Sequence, residues 1–268
     1  MTEGLYLYCL VRSGLMPVPL QGIGLDGHNP LQAAPLNDLA AIWSPVALED
    51  FCGPEAEARL QDLTWIGPRV IRHQEVVAAL MRHSPVLPVR FGVIFTSRES
   101  LENSIQRHYD RIDGFLRYVS GTEEWGVKGF LDWKEAKEKL FARRWLQDSD
   151  RLKSLSPGKR YFAEQRQRAS VDLELQRWLP EVCQKIWQGL QHLTVEGRER
   201  ELRRRDAGDT REMVLNWAFL ISTGVAADFR AHIREVNNRL ADLSLVLEET
   251  GPWPPYSFCP ALDMESVR

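Results

Sequence analysis

The stretch Leu87-Pro88-Val89-Arg90-Phe91-Gly92-Val93-Ile94-Phe95 constrains this chain more than any other. In an extended backbone successive side chains point to opposite faces, so Val89, Phe91, Val93 and Phe95 make one wholly apolar face that has to be covered. The other face carries Arg90, Gly92 and Ile94, a charge and a gap where a neighbour can approach. Pro88 has no amide hydrogen to give to a ladder and belongs at the strand entrance. Thr96-Ser97-Arg98-Glu99 follows at once and reads as a capping box, with Thr96 as N-cap and Glu99 three residues on. A buried strand running straight into a capped helix calls for sheet and helix layers.

The flanking segments fit that plan. Leu5 to Val11 is apolar on both faces and reads as a central strand. Gly14 to Pro35, dense in proline and glycine, reads as loop, and Leu39 to Trp43 as a short strand stopped by Ser44-Pro45. A short helix runs from Gly53-Pro54 to Leu63. Gly67-Pro68 breaks and restarts it, and Val70, His73, Val77, Leu80 and Met81 keep helical spacing to Arg82. Beyond the opening strand, Leu101, Ile105, His108, Ile112, Leu116 and Val119 predict one amphipathic helix, closed by Ser120-Gly121. Glu124 to Leu131 reads as a strand. The order strand, strand, helix, strand, helix, strand is compatible with a ferredoxin-like α+β sandwich of rearranged elements and not with a doubly wound sheet.

From Asp132 the composition changes. Trp133 to Leu146 predicts a helix, and Lys159 to Gln188 a long second one, with a kink or interruption at Pro180. His192 to Arg204 and Met213 to Ile221 flank Asp206-Ala207-Gly208-Asp209 and read as a hairpin whose second arm puts Met213, Leu215, Trp217, Phe219 and Ile221 on one face. Phe229, Ile233, Val236, Leu240, Leu243 and Leu247 predict a regular helix ended by Thr250-Gly251-Pro252. Buried strand, amphipathic helix and Trp-bearing strand therefore occur twice. The expectation is two α+β domains of related plan, residues 1–131 and 132–268, the second including a tail from 251 to 268.

Charge and chemistry exclude more than they assign. Of 268 residues, 34 are basic and 37 acidic, for a net −3, which gives no support for nucleic-acid binding and little for an anionic membrane. The start, Met1-Thr2-Glu3-Gly4, lacks a basic signal region, and no apolar run nears the roughly 18 residues that span a bilayer. Cys9, Cys52, Cys183 and Cys259 are scattered, as in a cytosolic chain with reduced thiols. Gly22-Ile23-Gly24-Leu25-Asp26-Gly27 matches G-x-G-x-x-G, but prolines precede it and Asn29-Pro30 follows, so plain loop is favoured over a nucleotide cradle. His73-Gln74-Glu75 lacks the second histidine of a zinc helix, since position 77 is Val77, so a satisfied core or rim histidine is expected. Glu123-Glu124 and Glu248-Glu249 read as solvated charge. The arginines of the 198–211 region are matched by Glu196, Glu199, Glu201, Asp206, Asp209 and Glu212, the pattern of a salt-bridged hairpin. Arg90, alone in an apolar strand, is best accounted for by an internal salt bridge, with a ligand-facing role the alternative. No constellation of catalytic, cofactor or metal-binding residues emerges, so an enzyme is not expected.

The closing Gly251-Pro252-Trp253-Pro254-Pro255-Tyr256-Ser257-Phe258 is stiff, extended and flanked by aromatics. It is expected to dock by inserting Trp253, Tyr256 and Phe258 into the second domain, the alternative being an exposed ligand for a partner. With Leu87 to Phe95, Glu124 to Lys128, Asn216 to Leu220, Tyr6 to Cys9 and Leu39 to Pro45, this octet resembles the GvpL/GvpF family of gas vesicle proteins over nearly the whole chain. The resemblance implies two modified ferredoxin-like domains, each an antiparallel sheet with helices packed on it. It implies a non-enzymatic accessory or minor component of the gas vesicle, working in the cytoplasm during vesicle formation. Its implied partners are the hydrophobic shell protein GvpA and other accessory Gvp proteins, and no catalytic residues carry over. Partner contacts are expected at Trp253, Pro254, Pro255, Tyr256 and Arg90. The competing expectation is a small-molecule-binding or catalytic ferredoxin-like domain using Arg90 and His73.

Overall fold

The computed structural model describes residues 3–17, 19–202 and 210–264. The expected turn Asp206–Asp209 and Arg203, Arg204 and Arg205 lie outside the described residues. The protein is α+β, with helices on two separate sheets.

In the first unit β1 (Glu3–Arg12) is the central strand, and Tyr6 to Val11 are completely buried. It lies between β3 (Leu39–Ala47) and β4 (Val86–Pro88), antiparallel to both, and β2 (Gln32–Leu36) forms the far edge in the order β2-β3-β1-β4. Strand β2 falls where sequence predicted only loop. Its Ala-Ala-Pro core has little β propensity, and Pro35 is tolerated because an edge strand can lack one donor. Strand β3 runs on through Ser44-Pro45, because β2 reaches only to Trp43 and Pro45 has β1 as its single neighbour. Helix α1 (Pro54–Gln61) is followed by α2 (Leu63–Met81), which stays helical through Gly67-Pro68. Asp62 caps it by accepting from the amide of Thr64 at 2.9 Å, and Pro68 sits close enough to the start to disturb only a first-turn carbonyl. Val76, Val77 and Leu80 pack with Tyr6, Tyr8, Ile42 and Ile94 in the first core.

The opening stretch departs from its expected form. It is not one strand but two short ones, β4 and β5 (Ile94–Phe95), both antiparallel to β1. Pro88 lies opposite Cys9 and Ile94 opposite Tyr6, so three steps along β1 face six along its partner. The surplus residues leave the ladder as a bulged turn in which Gly92 takes φ +90°. The cap also moves by one position. Ser97, still extended at φ −153°, is the N-cap of α3 (Arg98–Arg107), and its box partner is Ser100 rather than Glu99. The helix predicted over 101–119 is divided at His108 into α3 and α4 (Tyr109–Tyr118).

The second sheet has the order β7-β8-β6-β9, from β6 (Thr122–Leu131), β7 (Glu196–Glu199), β8 (Glu212–Ser222) and β9 (Leu245–Trp253). Between β6 and β7 come α5 (Trp133–Gln147), α6 (Ser149–Lys153) and the 35-residue α7 (Pro157–Gln191), which remains helical through Pro180. Helix α8 (Ala226–Leu240) joins β8 to β9. Taking the helices between β6 and β7 together, this is β-α-β-β-α-β with ferredoxin-like strand order. The first sheet repeats the order with a loop in place of its first helix. The hairpin is present, β7 antiparallel to β8, and Leu215, Trp217, Phe219 and Ile221 enter the second core with Phe229, Ile233 and Val236. Arg198 pairs with Glu196 at 2.6 Å and Arg211 with Glu248 at 3.4 Å.

Two expectations change here. The helix predicted to reach Leu247 ends at Leu240. Ser244 takes the left-handed conformation, and Leu245 and Leu247 are buried on either side of the exposed Val246 in strand alternation. The compact units meet at Glu124/Trp125 rather than at 131/132, and the segment from Pro252 onward packs with the first unit instead of the second. The reason is topological, because β6 is the first strand of the second sheet.

Candidate interaction site

The bulge between β4 and β5 is held from beneath. His73, on the inner face of α2 and 2 % exposed, places Nε2 3.1 Å from the carbonyl of Val89 and Nδ1 2.9 Å from the hydroxyl of Tyr6. A carbonyl only accepts, so Nε2 carries the hydrogen and Nδ1 accepts from the phenol. The Tyr6 oxygen in turn accepts the amide of Gly92 at 3.3 Å. Burial pushes the imidazole pKa down to about 4 and the Tyr6 phenol up. His73 is thus a satisfied core histidine, as its place on an apolar stripe predicts. Arg90 is lifted out of the sheet by the bulge. It is exposed, and among the described residues the internal salt bridge expected of it is absent. A residue in the ladder would need one, whereas a residue on the turn is solvated.

The closing segment covers the open side of the same sheet. Val89 donates its amide to Tyr8, so the carbonyl of Pro88 faces away from β1. The thiol of Cys259 meets that carbonyl at 3.6 Å. Phe258 is 3 % exposed. Glu124, read from sequence as solvated, is 2 % exposed and accepts both the amide (2.8 Å) and the hydroxyl (3.0 Å) of Ser257. His108 Nε2 meets the carbonyl of Asp263 at 3.0 Å. The octet is therefore docked, but not as expected. Pro254 and Pro255 are buried, Tyr256 is half-buried with its pKa raised by burial, and Trp253 is 45 % exposed. Of the expected contact residues, Trp253 and Arg90 face solvent, while the two prolines serve as an anchored base. Glu124 was hidden from sequence reasoning because its partner lies 133 positions away.

The remaining candidates resolve as structure. The Gly22–Gly27 motif is a loop in which Asp26 accepts the amides of His28 and Asn29. No helix follows it, so it builds no phosphate cradle. A cleft of about 470 Å³ lies between this loop and α2, lined by Pro19, Ile23, Leu31, Arg72 and Val76 among others. Another, of about 620 Å³, borders Arg12, Asp38 and Arg117. There Arg12 pairs with Asp113 at 2.5 Å and with Asp38, which also receives the Tyr109 hydroxyl. Neither cleft contains Arg90 or His73. Among the described residues no group of His, Cys, Asp or Glu could hold a metal ion, and no helix is long and apolar enough to cross a membrane.

Comparison with known proteins agrees with this architecture. A family model described as gas vesicle synthesis protein GvpL/GvpF matches residues 4–260. Gas vesicle protein L of Streptomyces sp. (strain CB03234) is 27 % identical, with 94 % of this chain and 91 % of that protein covered. Gas vesicle protein L1 of Halobacterium salinarum is 25 % identical, with 97 % and 91 % covered. The crystal structure of GvpF from Anabaena sp. PCC7120 superposes with a TM-score of 0.67 at 19 % identity, over 99 % of this chain and 100 % of that one. GvpF from Microcystis aeruginosa gives 0.64 at 23 % identity, over 96 % and 99 %. With a family match spanning nearly the whole sequence and the two-sheet fold common to those structures, this chain belongs to the GvpL/GvpF family of gas vesicle synthesis proteins, and its role lies in gas vesicle formation.

Proposed function

We propose that this protein is a non-enzymatic accessory or minor structural component that binds the hydrophobic shell protein GvpA during vesicle formation and limits its aggregation. Other Gvp accessory proteins are further partners, and the growing vesicle in the cytoplasm is where it acts. Family membership supports the setting. One observation carries the reading: Trp253, 45 % exposed, and the exposed Arg90 are presented to solvent by docked elements of one unit, while His73, Tyr6 and Glu124 are spent on internal hydrogen bonds. A half-exposed tryptophan on a stiff base suits contact with an apolar partner, and arginine and tryptophan are the residue types that dominate interface energies. Tyr256 flanks the contact, and Pro254 and Pro255 fix its geometry from below.

The test is co-expression of GvpA with this protein, followed by sedimentation and pull-down. The reading expects GvpA to stay soluble and co-purify, and Trp253→Ala with Arg90→Glu to abolish both while leaving the melting temperature in place. GvpA that aggregates equally with and without the protein overturns it.

A further inference from the structure

Helix α7 serves the second core with only part of its length. Val171, Leu175, Val182, Ile186 and Leu190 are buried, yet from Pro157 to Ser170 no residue is. That uncovered part lies along α5. Arg168 stands 4.3 Å from the Phe141 ring, Arg160 5.7 Å from the Trp145 ring, and Arg144 pairs with Glu174. The end of this helix pair is strongly basic. Residues 139–168 hold nine Lys and Arg against three Asp and Glu, a net +6 in a chain whose total is −3. Lys159 and Arg166 form no ion pair with a described residue. The same end exposes large apolar side chains, Leu146 at 72 %, Phe162 at 71 % and Tyr161 at 59 %.

A cationic patch around exposed anchors is complementary to carboxylates set among apolar side chains, and such complementarity steers encounter and fixes partner choice. We propose that this end of the α5–α7 pair is a docking surface for a protein segment that is acidic and carries apolar anchors. A membrane surface fits less well. Embedding needs an apolar stripe recurring along the helix, and after Tyr161 and Phe162 the positions three to seven residues on are Glu164, Gln165, Arg166, Gln167, Arg168 and Ala169. Nucleic acid fits less well too. Asp148 and Glu164 sit inside the patch, holding Arg151 at 3.2 Å and Arg168 at 3.0 Å, and would repel a continuous phosphate backbone. A peptide can space its acids between them.

The proposal stands apart from the GvpA reading, which concerns Trp253 and Arg90 in the other unit. It is tested by fluorescence anisotropy on the full-length protein. The probes are dye-labelled short peptides with Asp or Glu interleaved with Leu and Phe, matched Lys-for-Glu peptides, oligouridylate, and vesicles containing phosphatidylserine. The acidic peptides are expected to bind, more weakly at high salt, and the Lys peptides not. Lys159→Glu with Arg166→Glu, and separately Tyr161→Ser with Phe162→Ser, are expected to weaken binding about tenfold or more with circular dichroism unchanged. Trp253→Ala is expected to leave it intact. Absence of peptide binding, indifference to the helix variants, loss in Trp253→Ala, or preferred capture of oligouridylate or vesicles overturns the proposal.

Discussion

The hydroxyl of Tyr6 and Nδ1 of His73 meet at 2.9 Å under a break in the first sheet, 67 positions apart in sequence. Around them closes a ring of bonds. Gly92 donates to Tyr6, Tyr6 to His73, and His73 to Val89. The ring satisfies polar groups that the bulge would otherwise leave stranded in an apolar core, and it sets where Arg90 leaves the sheet.

Acid should loosen this unit. A buried imidazole whose folded pKa is near 4, against 6.5 when free, favours the native state in its neutral form. Its contribution is complete above about pH 6.5. It falls as the unfolded chain takes up the proton, by about 3 kcal/mol on reaching pH 4. Denaturant titrations across that range should show the decline in the wild type and a flatter profile in His73→Gln. Equal slopes would assign the acid sensitivity to another group.

Tyr6→Phe removes one oxygen and strands two partners, the Gly92 amide and His73 Nδ1. A loss of about 1–3 kcal/mol is expected, read from chemical unfolding, with faster hydrogen exchange over residues 89–93.

Gly92→Ala meets no atom within 4 Å, so any cost is purely conformational and comes from φ +90°. About 1 kcal/mol of destabilisation is expected. Gly14→Ala, equally uncrowded but without a positive φ, is the control and should change stability by less than about 0.5 kcal/mol.

Glu124→Ala removes the two hydrogen bonds that Ser257 donates to Glu124. The variant should lose about 1–3 kcal/mol, as expected when buried donors lose their acceptor. Limited proteolysis should then cut after Pro252, where the wild type resists.

Phe258 and Trp253 should behave oppositely. Phe258→Ala empties a buried site and should cost about 3–5 kcal/mol. Trp253→Ala, at a position 45 % exposed, should cost less than about 1 kcal/mol in thermal melting. A large loss at Trp253 would show that the residue serves packing rather than presentation.

Much of this was legible in the residues. The apolar run of β1, the stripe on α2 and the alternation of β8 identified their elements, because periodicity depends only on neighbours in sequence. His73 was placed correctly for the same reason. Leu240, Leu243 and Leu247 misled because spacings of three and four continue a helix as readily as they cross into a strand. Ser244, in the left-handed conformation, made the break without glycine or proline to announce it.

Sequence alone determined which segments needed covering, roughly where helices and strands run, and the family the chain resembles. Only the tertiary structure decided that Leu87–Phe95 is two strands around a bulge, that β6 opens the second sheet, and that the closing segment seals the first. Each of those outcomes turns on a partner far away in the chain: β1 for the bulge, β8 for β6, Glu124 for Ser257. Local preference is worth a fraction of a kcal/mol per residue, and a buried ladder or a buried hydrogen bond outweighs it.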